Sequence, residues 1–307
     1  MASLFVSRAL PKPYNYLSIE RRQRRMIPLH QEVVVHSIID QLSKRNVVHT
    51  GIDEIVQRFR DNIRGKKFDD FKSKIKNRHL GSEGIWVEEQ LGATQNNYTL
   101  SDIGGYEIKI YGEKISFGDW RPDEILFDPK SVLQTHNTDV PLLSKDEFLV
   151  LFGKPNKKKS NRYAWSGECV PRVAGEFNAF GQVMVVDQNK NIYIAYNSQF
   201  DNTRDAKPKW ALDKTIVMAY WSREKLIHCI SRKFNDKGFI LIKKNKKDKT
   251  FEKLLIGKSF DFDYWIAQVL EKKVIFDSGM YGGNNRYYSH WRADHRFWDG
   301  LVHETYL

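Results

Sequence analysis

Residues 81–111 read GSEGIWVEEQLGATQNNYTLSDIGGYEIKIY, and these residues carry most of the information on the fold. Near its end, Gly104-Gly105 supplies positive φ without steric cost, which predicts a tight turn between two short strands. From Tyr106 the sequence alternates apolar and charged residues, and side chains along a strand point to opposite faces. Glu107 and Lys109 are therefore expected to share one face, while the apolar residues beside them face the core.

Two carboxylates meet at the predicted turn. Asp102 precedes the glycines and Glu107 follows them, so their side chains can converge from neighbouring strands. With the backbone carbonyl of Ile108 they form a hard oxygen site of the kind that Mg²⁺ prefers, and Mn²⁺ accepts the same ligands. The Lys109 ammonium can hold an attacking water and screen charge on a phosphorus centre. These residues predict metal-dependent hydrolysis of a phosphodiester.

A short helix is predicted upstream, over residues 85–91, with a glycine entry at Gly81 and Gly92 as its stop. It adds an acid to the site, since either Glu88 or Glu89 can face the strand pair while the other is solvated. The spacing Asp-x4-Glu-x-Lys also occurs by chance, in which case it marks an exposed strand with a surface ion pair. The succession of helix, asparagine loop, aspartate, glycine turn and strand favours a nuclease.

The order G-x-x-G, E-x-x-L-G, N-N and D-x4-E-x-K resembles the restriction endonucleases of the MvaI/BcnI type, which are relatives of the mismatch-repair nickase MutH within the PD-(D/E)xK nucleases. The resemblance selects Glu88, three residues before a leucine, as the helix acid. It matches Asp102, Glu107 and Lys109 to the catalytic positions. It implies an α/β fold with a PD-(D/E)xK restriction-endonuclease-like core, in which helices flank a mixed central sheet, and to which this chain adds an N-terminal helical extension.

The resemblance also implies an activity. It is that of a type II restriction endonuclease, which hydrolyses double-stranded DNA at a short specific sequence with Mg²⁺ and leaves 5′-phosphates. A cognate DNA methyltransferase acting on the same site is an implied partner, and the enzyme is expected to be a monomer or a homodimer. Two alternatives remain open: a strand-nicking repair endonuclease like MutH, and an inactive DNA-binding protein. The complete set of acids and lysine speaks against the second.

The composition suits a polyanionic partner without identifying it. The 307 residues carry 50 Lys and Arg against 38 Asp and Glu, a net charge of +12, with 14 Tyr and 8 Trp. A basic balance also occurs in proteins that bind ribosomes or membrane surfaces. Two cysteines are too few for a disulfide framework or a thiolate metal site. No apolar run approaches the roughly 18 residues that span a bilayer, so we expect a cytoplasmic protein that does not bind a membrane.

The chain is expected to divide at residue 68. Residues 1–68 are predicted to form a basic arm and helical extension, and residues 69–307 the endonuclease domain. Within that domain, residues from about 78 to 200 are predicted to form the catalytic core, and residues from about 201 to 307 the DNA-recognition part. Two apolar runs around residues 187–190 predict a β-hairpin that extends the catalytic sheet.

The tail, residues 277–301, reads DSGMYGGNNRYYSHWRADHRFWDGL and contains almost no aliphatic residues, which predicts little core. Its donors can reach base edges or phosphates. The predicted DNA-contacting residues are Arg286, His290, Arg292, Asp294 and His295, together with Asn97 in the loop before Asp102. The resembling enzymes carry an Arg-x-x-Asp-His-Gly-like segment near the C-terminus, and residues 292–295 are similar to it, with an arginine in place of the glycine. A His-Asp-His metal cluster is the alternative interpretation.

Overall fold

The computed structural model describes residues 51–72, 81–93, 101–137 and 139–307. The α-helices of these residues are α1 (Ile52–Asn62), α2 (Ser82–Leu91), α3 (Val132–His136), α4 (Lys145–Phe152), α5 (Arg223–Phe234), α6 (Phe262–Leu270) and α7 (His295–Asp299). The strands are β1 (Tyr106–Ile110), β2 (Lys114–Asp119), β3 (Glu124–Ile125), β4 (Lys154–Asn156), β5 (Arg162–Trp165), β6 (Phe180–Val186), β7 (Ile192–Asp201), β8 (Thr215–Trp221), β9 (Gly238–Lys244), β10 (Phe251–Gly257), β11 (Val274–Asp277), β12 (Met280–Tyr281), β13 (His290–Asp294) and β14 (Val302–Tyr306). Short 3₁₀ helices cover Phe68–Asp70, Lys157–Lys159, Gly167–Cys169, Arg204–Ala206 and Lys209–Ala211.

The strand that carries Glu107 and Lys109 lies at the edge of a mixed sheet with the order β1-β9-β10-β14. β1 pairs in parallel with β9, and the register runs from Tyr106 opposite Gly238 to Ile110 opposite Ile242. β10 is antiparallel to both β9 and β14. The mixed sheet flanked by helices that the sequence predicts is therefore confirmed, and we call it the catalytic sheet.

Apolar side chains cover both faces of the catalytic sheet. On one face, Ile108, Ile240 and Ile242 pack with helices α1 and α2 in one hydrophobic cluster. On the other, Phe239 and Leu241 belong to a larger cluster that includes apolar residues of α5 and α6. Because side chains alternate along β1, its even-numbered residues face the first cluster while Glu107 and Lys109 project on the second side.

The described part of the predicted N-terminal extension is residues 51–68, which include helix α1. Its apolar face, with Ile55, Val56 and Phe59 buried, packs into the same cluster as strand β9. The basic arm and the remaining residues of the extension, 1–50, lie outside the described part of the chain. The division at residue 68 stays a prediction.

The predicted β-hairpin exists but does not extend the catalytic sheet. β6 and β7 pair antiparallel, with Val186 opposite Ile192 across the turn. They belong to a separate four-stranded sheet with the order β3-β8-β7-β6. The placement in the catalytic sheet was wrong, because a local hairpin pattern predicts which two strands pair but carries no signal for the strand beyond them. Two further three-stranded sheets have the orders β11-β13-β2 and β12-β5-β4.

The tail, residues 277–301, contributes to the hydrophobic core, so the prediction that it would form little core was wrong. Trp291, Phe297 and Trp298 are buried, and Trp298 lies 4.8 Å from the ring of Phe117, centroid to centroid. Large aromatic side chains thus supply the buried apolar surface that aliphatic residues usually provide. Beyond them, β14 completes the catalytic sheet. Three of its four strands therefore come from residues 238–306, and the predicted catalytic and recognition parts are interleaved in space.

Among the helices that the structure describes, none has the length and the apolar character needed to span a bilayer.

Candidate active site

The Gly104-Gly105 turn fixes Asp102 beside β1. Both glycines have positive φ, 55° and 91°, as a two-residue hairpin turn of this type requires. The turn is closed by Tyr106 N, which donates to Ile103 O at 2.8 Å. Across it, the backbone N–H of Ile108 donates to Asp102 Oδ2 at 2.7 Å. The predicted turn is confirmed, and it brings Asp102 against the strand that bears Glu107. The predicted strand before the turn is absent from the described residues there, 101–103, because they form only a single bridge between Ile103 and Tyr106.

Glu107 is the most buried charged group of this site, with 1% of its side chain exposed. Its Oε1 accepts hydrogen bonds from Lys109 Nζ at 2.5 Å and from Lys233 Nζ at 2.6 Å. Its Oε2 is also buried and has no hydrogen-bond partner. A buried carboxylate is costly unless it is paired, so two lysines and one unpaired oxygen indicate a site built for a further cation.

The two neighbouring acids are held in environments that favour their neutral forms. Burial, and then the charge of Glu107, raises the pKa of Asp102 to about 6. Burial, and then the charge of Asp102, raises the pKa of Glu88 to about 7. Such shifts arise where carboxylates crowd together away from water. A bound cation would restore both to the ionised form.

Helix α2 presents Glu88 toward this cluster. Glu88 is half-buried while Glu89 is exposed, in line with the choice that the resemblance makes. Helix α2 ends at Gly92 in a left-handed conformation, with φ of 87°. Its buried Trp86, Val87 and Leu91 anchor it on the apolar face of the catalytic sheet. The catalytic role of Glu88 remains a prediction.

Lys109 shares the face of β1 with Glu107, as the alternation predicts. Burial by itself would lower the pKa of its ammonium. The negative charges of Glu107 and then Asp102 outweigh that effect, so the pKa of Lys109 is raised above its usual value. The side chain is 18% exposed, so its Nζ is held near the carboxylates rather than in bulk water. It is a fixed positive charge at the edge of the acid cluster.

The directions of the backbone groups fit the divalent ion that the resemblance implies. Tyr111 N donates to Ile242 O of β9 at 2.9 Å, and strand N–H groups alternate between the two edges. The N–H of Ile108 therefore points away from β9, toward Asp102, and its carbonyl shares that side. Asp102, this carbonyl and the unpaired Oε2 of Glu107 are hard oxygen ligands of the kind that Mg²⁺ takes.

This set contains two carboxylates and a carbonyl rather than a larger cluster. Within residues 51–72, 81–93, 101–137 and 139–307, no group of three or more His, Cys, Asp or Glu side chains is arranged to hold a metal ion. Glu88 is thus close enough to affect the pKa of its neighbours without being placed as a third ligand. The result also excludes the His-Asp-His cluster considered for the tail.

Lys233 is the site residue that the sequence did not indicate. It lies in the last turn of α5, 126 residues after Glu107, and its side chain is 17% exposed. The apolar spacing of Leu226, Ile230 and Phe234 predicts which face of α5 is buried. That pattern could have placed the C-terminal end of α5 near a sheet. It could not have named the carboxylate that Lys233 contacts.

The predicted DNA-contacting residues of the tail lie in three different settings, and three of them belong to β13. His290, Arg292 and Asp294 alternate along β13 with the buried Trp291 and Ala293, so the first three share the opposite face. On that face, Arg292 pairs with Asp277 of β11 at 3.1 Å. Asp294 accepts hydrogen bonds from the backbone of Arg296 and Phe297 and so caps α7. Burial is the main cause that lowers the pKa of His290, and it outweighs the opposing charge of Asp119.

His295 lies apart from this group. As the first residue of α7, it approaches Tyr111, with ring centroids 6.1 Å apart, and Tyr111 directly follows the catalytic strand. Arg286 instead stacks on Tyr288, with its guanidinium carbon 5.8 Å from the ring centroid. Asn97, the remaining predicted DNA contact, falls outside the described residues. DNA contact by any of these residues remains a prediction.

The fold defines the class of protein. Its architecture is similar to that of the restriction endonuclease MvaI in a complex with its cognate DNA substrate, with a TM-score of 0.52 and 12% sequence identity over 83% of this chain and 96% of that chain. This likeness confirms the α/β fold of the PD-(D/E)xK type that the sequence predicts.

The family follows from the sequence comparisons. A family model described as LlaMI restriction endonuclease matches residues 63–306. The type II restriction enzyme ScrFI of Lactococcus lactis subsp. cremoris is 33% identical over 265 residues, which cover 81% of this chain and 96% of that enzyme. The chain belongs to the LlaMI restriction endonuclease family, and it is a site-specific deoxyribonuclease. The resemblance drawn from residues 81–111 is thereby confirmed at the level of the family.

Proposed function

We propose that this protein is a type II restriction endonuclease that uses Mg²⁺ to hydrolyse both strands of double-stranded DNA at a short specific sequence. One observation carries the proposal. Glu107 is buried with two lysines on Oε1 and no partner on Oε2, on a strand fixed to Asp102. This arrangement, in a member of a restriction endonuclease family, supports phosphodiester hydrolysis at β1.

The reaction adds water across one phosphodiester bond. The water oxygen bonds to phosphorus, the bond from phosphorus to the 3′ oxygen breaks, and the 3′ oxygen takes up a proton. The products are a 5′-phosphate and a 3′-hydroxyl. Lys109 is the cation of β1 placed to orient the water and to stabilise charge that develops on the phosphate.

Asp102, Glu107 and the Ile108 carbonyl would hold Mg²⁺, or Mn²⁺ in its place. The bound ion would supply Lewis-acid stabilisation of the phosphate and favour deprotonation of water. Asp102 is held for this role by the Ile108 N–H, which occupies one of its oxygens. Glu88 supports the site by adding negative charge without direct ligation, and such supporting groups tune metal affinity.

Base reading is assigned to the tail. Arg292 and His290 share the face of β13 opposite the buried Trp291, and once Arg292 leaves Asp277 their donors would reach base edges or phosphates. Arg286, Asp294, His295 and Asn97 complete the proposed DNA-contacting set. A methyltransferase of the same sequence specificity would protect the host DNA. Light scattering with and without a cognate duplex distinguishes a monomer from a homodimer.

The test is a plasmid digestion followed by end analysis. Purified protein with Mg²⁺ is expected to give discrete double-strand breaks at one short sequence, with ends that ligase accepts and a 5′-phosphate that phosphatase removes. Mn²⁺ should support cleavage in place of Mg²⁺. Ca²⁺ should allow DNA binding without cleavage, and a chelator should stop cleavage. A relaxed circle as the only product would indicate a nickase. Binding without any cleavage in Mg²⁺ or Mn²⁺ would overturn the proposal.

A further inference from the structure

Lys233 makes a different kind of ion pair from the other lysine of its helix. Its Nζ lies 2.6 Å from Glu107 Oε1, with 17% and 1% of the two side chains exposed. By contrast, Lys225 of the same helix pairs with Asp123 at 3.3 Å, with 30% of each side chain exposed. Exposed pairs contribute little to stability, whereas removing one member of a buried pair leaves an uncompensated charge. The contact with Glu107 is thus the consequential one.

The end of α5 is tied to the catalytic turn on both sides of Lys233. Ser101 N donates to the carbonyl of Arg232 at 2.9 Å, and Lys237 N donates to the carbonyl of Gly105 at 3.2 Å. These bonds fasten the helix end along the segment that contains Asp102. The position of Lys233 is therefore fixed by the same turn that positions the acids. A flexible surface lysine would have no such anchorage.

Lys109 and Lys233 both donate to the same oxygen of Glu107, Oε1, so one of them can leave it without unpairing a buried charge. The Lys109 ammonium has three donors and one of them is on Oε1, so Lys109 can leave Oε1 when its ammonium moves to engage the water or the phosphate. Without another partner, Oε1 would then be a buried carboxylate oxygen with no hydrogen bond, which is costly. Lys233 comes from a separate element, so it can keep its contact while Lys109 moves.

We propose that Lys233 is a positioning residue, which holds Oε1 of Glu107 while Lys109 engages the reacting phosphate, so that Oε2 stays directed to the metal position. The proposal rests on the proposed function for its catalytic meaning. The contact itself can be tested without metal or DNA, because it is present in the protein alone.

The first experiment is a double-mutant cycle on the metal-free protein. Lys109→Met and Lys233→Met each leave one lysine on Glu107, whereas the double variant leaves none. In chelator at pH 8, the urea midpoint of the double variant is expected to fall by more than the sum of the two single losses. The excess should vanish in a Glu107→Gln background. Additive losses would overturn the proposal, whatever the enzyme does to DNA.

The second experiment measures single-turnover cleavage and DNA binding in Ca²⁺. Lys233→Met is expected to slow cleavage by about 10- to 100-fold, the usual range for groups that orient a metal ligand, with binding unchanged. Lys233→Arg keeps the charge and should recover most of the rate. Lys225→Met is the matched control from the same helix and should cleave like the wild type.

The outcomes separate this proposal from the proposed function. Wild-type protein that cuts DNA, together with Lys233→Met that cuts at the same rate, would overturn the role of Lys233 alone. Wild-type protein that does not cut would overturn the proposed function, and the metal-free cycle would still decide whether Lys233 supports Glu107. A slow Lys233→Met variant that Lys233→Arg rescues supports the positioning role.

Discussion

The backbone N–H of Ile108 donates to Asp102 Oδ2 at 2.7 Å, across a turn made by two glycines of positive φ. This bond joins the first acid of the site to the strand that carries the second acid and the lysine. Since the bond spans only six residues, its geometry depends on the turn rather than on distant packing. The turn should therefore be a point at which small changes affect catalysis.

Gly105→Ala should disturb this turn. A Cβ on Gly105 would lie 2.2 Å from Asp236 Oδ2, and the position has φ of +91°. Gly175→Ala is the matched control, because its φ is +82° and no atom lies within 4 Å of an added Cβ. Both should lose about 1–2 kcal/mol for the left-handed backbone, measured by urea unfolding. Only Gly105→Ala should also slow single-turnover cleavage, and equal cleavage by the two variants would contradict the importance of the turn.

The pH dependence of stability should reflect the raised pKa values of the acids. Folding raises the pKa of Asp102 to about 6 and that of Glu88 to about 7, chiefly by burial. The protonated form of each acid stabilises the fold, and this contribution is fully present below the pKa of the unfolded state. It is lost as the pH rises through the folded-state pKa, which is about 6 for Asp102 and about 7 for Glu88. In chelator, the wild type should lose stability relative to Glu88→Gln between pH 5 and pH 8. Glu89→Gln, from the exposed side of the same helix, is the control.

The affinity for a divalent metal ion should increase between pH 5 and pH 8, whereas stability decreases, because protons compete with the cation for the carboxylates. Calorimetry with Mn²⁺ should show affinity rising from pH 5 to pH 8, with a shallower rise in Glu88→Gln. Affinity that is independent of pH would contradict the assignment of Asp102 as a ligand.

Arg292 and His295 should affect DNA binding differently. Arg292 lies on the face of β13 with His290, whereas His295 lies beside Tyr111 at the end of the catalytic strand. We expect Arg292→Ala to lose about 1–3 kcal/mol of discrimination between cognate and random duplexes. His295→Ala should weaken both duplexes alike. Competition binding at two salt concentrations measures this, with Arg296→Ala, an exposed arginine of α7, as the control.

If Arg292→Ala and His295→Ala both lost discrimination between cognate and random duplexes, the assignment of different roles to these two residues would be contradicted. A loss in the Arg296 control as large as that of Arg292 would indicate that only the general positive charge of the segment matters.

The tail should also be required for folding. Trp298 is fully buried among Phe117, Phe234 and Phe239. Trp298→Ala should cost about 3–5 kcal/mol of unfolding free energy, the range for buried large aromatic residues. Leu307→Ala, at an exposed position, should cost little. Denaturant unfolding of the two variants decides the point, and similar midpoints would contradict the core role of the tail.

The local parts of the site were predictable because their signals are local. Alternation gives the shared face of Glu107 and Lys109, and two adjacent glycines give the turn that brings Asp102 to them. The choice of Glu88 over Glu89 came from the resemblance rather than from helix periodicity. Each of these signals spans at most about one helix or hairpin, which is the range over which sequence spacing fixes geometry.

The long-range parts were not predictable for the same reason. The neighbours of β1 in the catalytic sheet begin at Gly238, far along the chain, and no local pattern specifies that pairing. Lys233 depends on it, since α5 leads directly into β9. The tail was misjudged because a scarcity of aliphatic residues was taken to mean little core, whereas strand alternation buries Trp291 and leaves Arg292 half-buried on the other face.

In the mechanism proposed above, Glu107 holds the cation on which DNA cleavage depends. The most direct test of this role is the single-turnover cleavage rate of Glu107→Gln, which keeps the shape of the side chain, measured beside DNA binding in Ca²⁺. Glu304→Gln, at an exposed position of β14, is the control. We expect Glu107→Gln to lose cleavage by several orders of magnitude and to keep its affinity for DNA. Cleavage by Glu107→Gln at close to the wild-type rate would contradict this role.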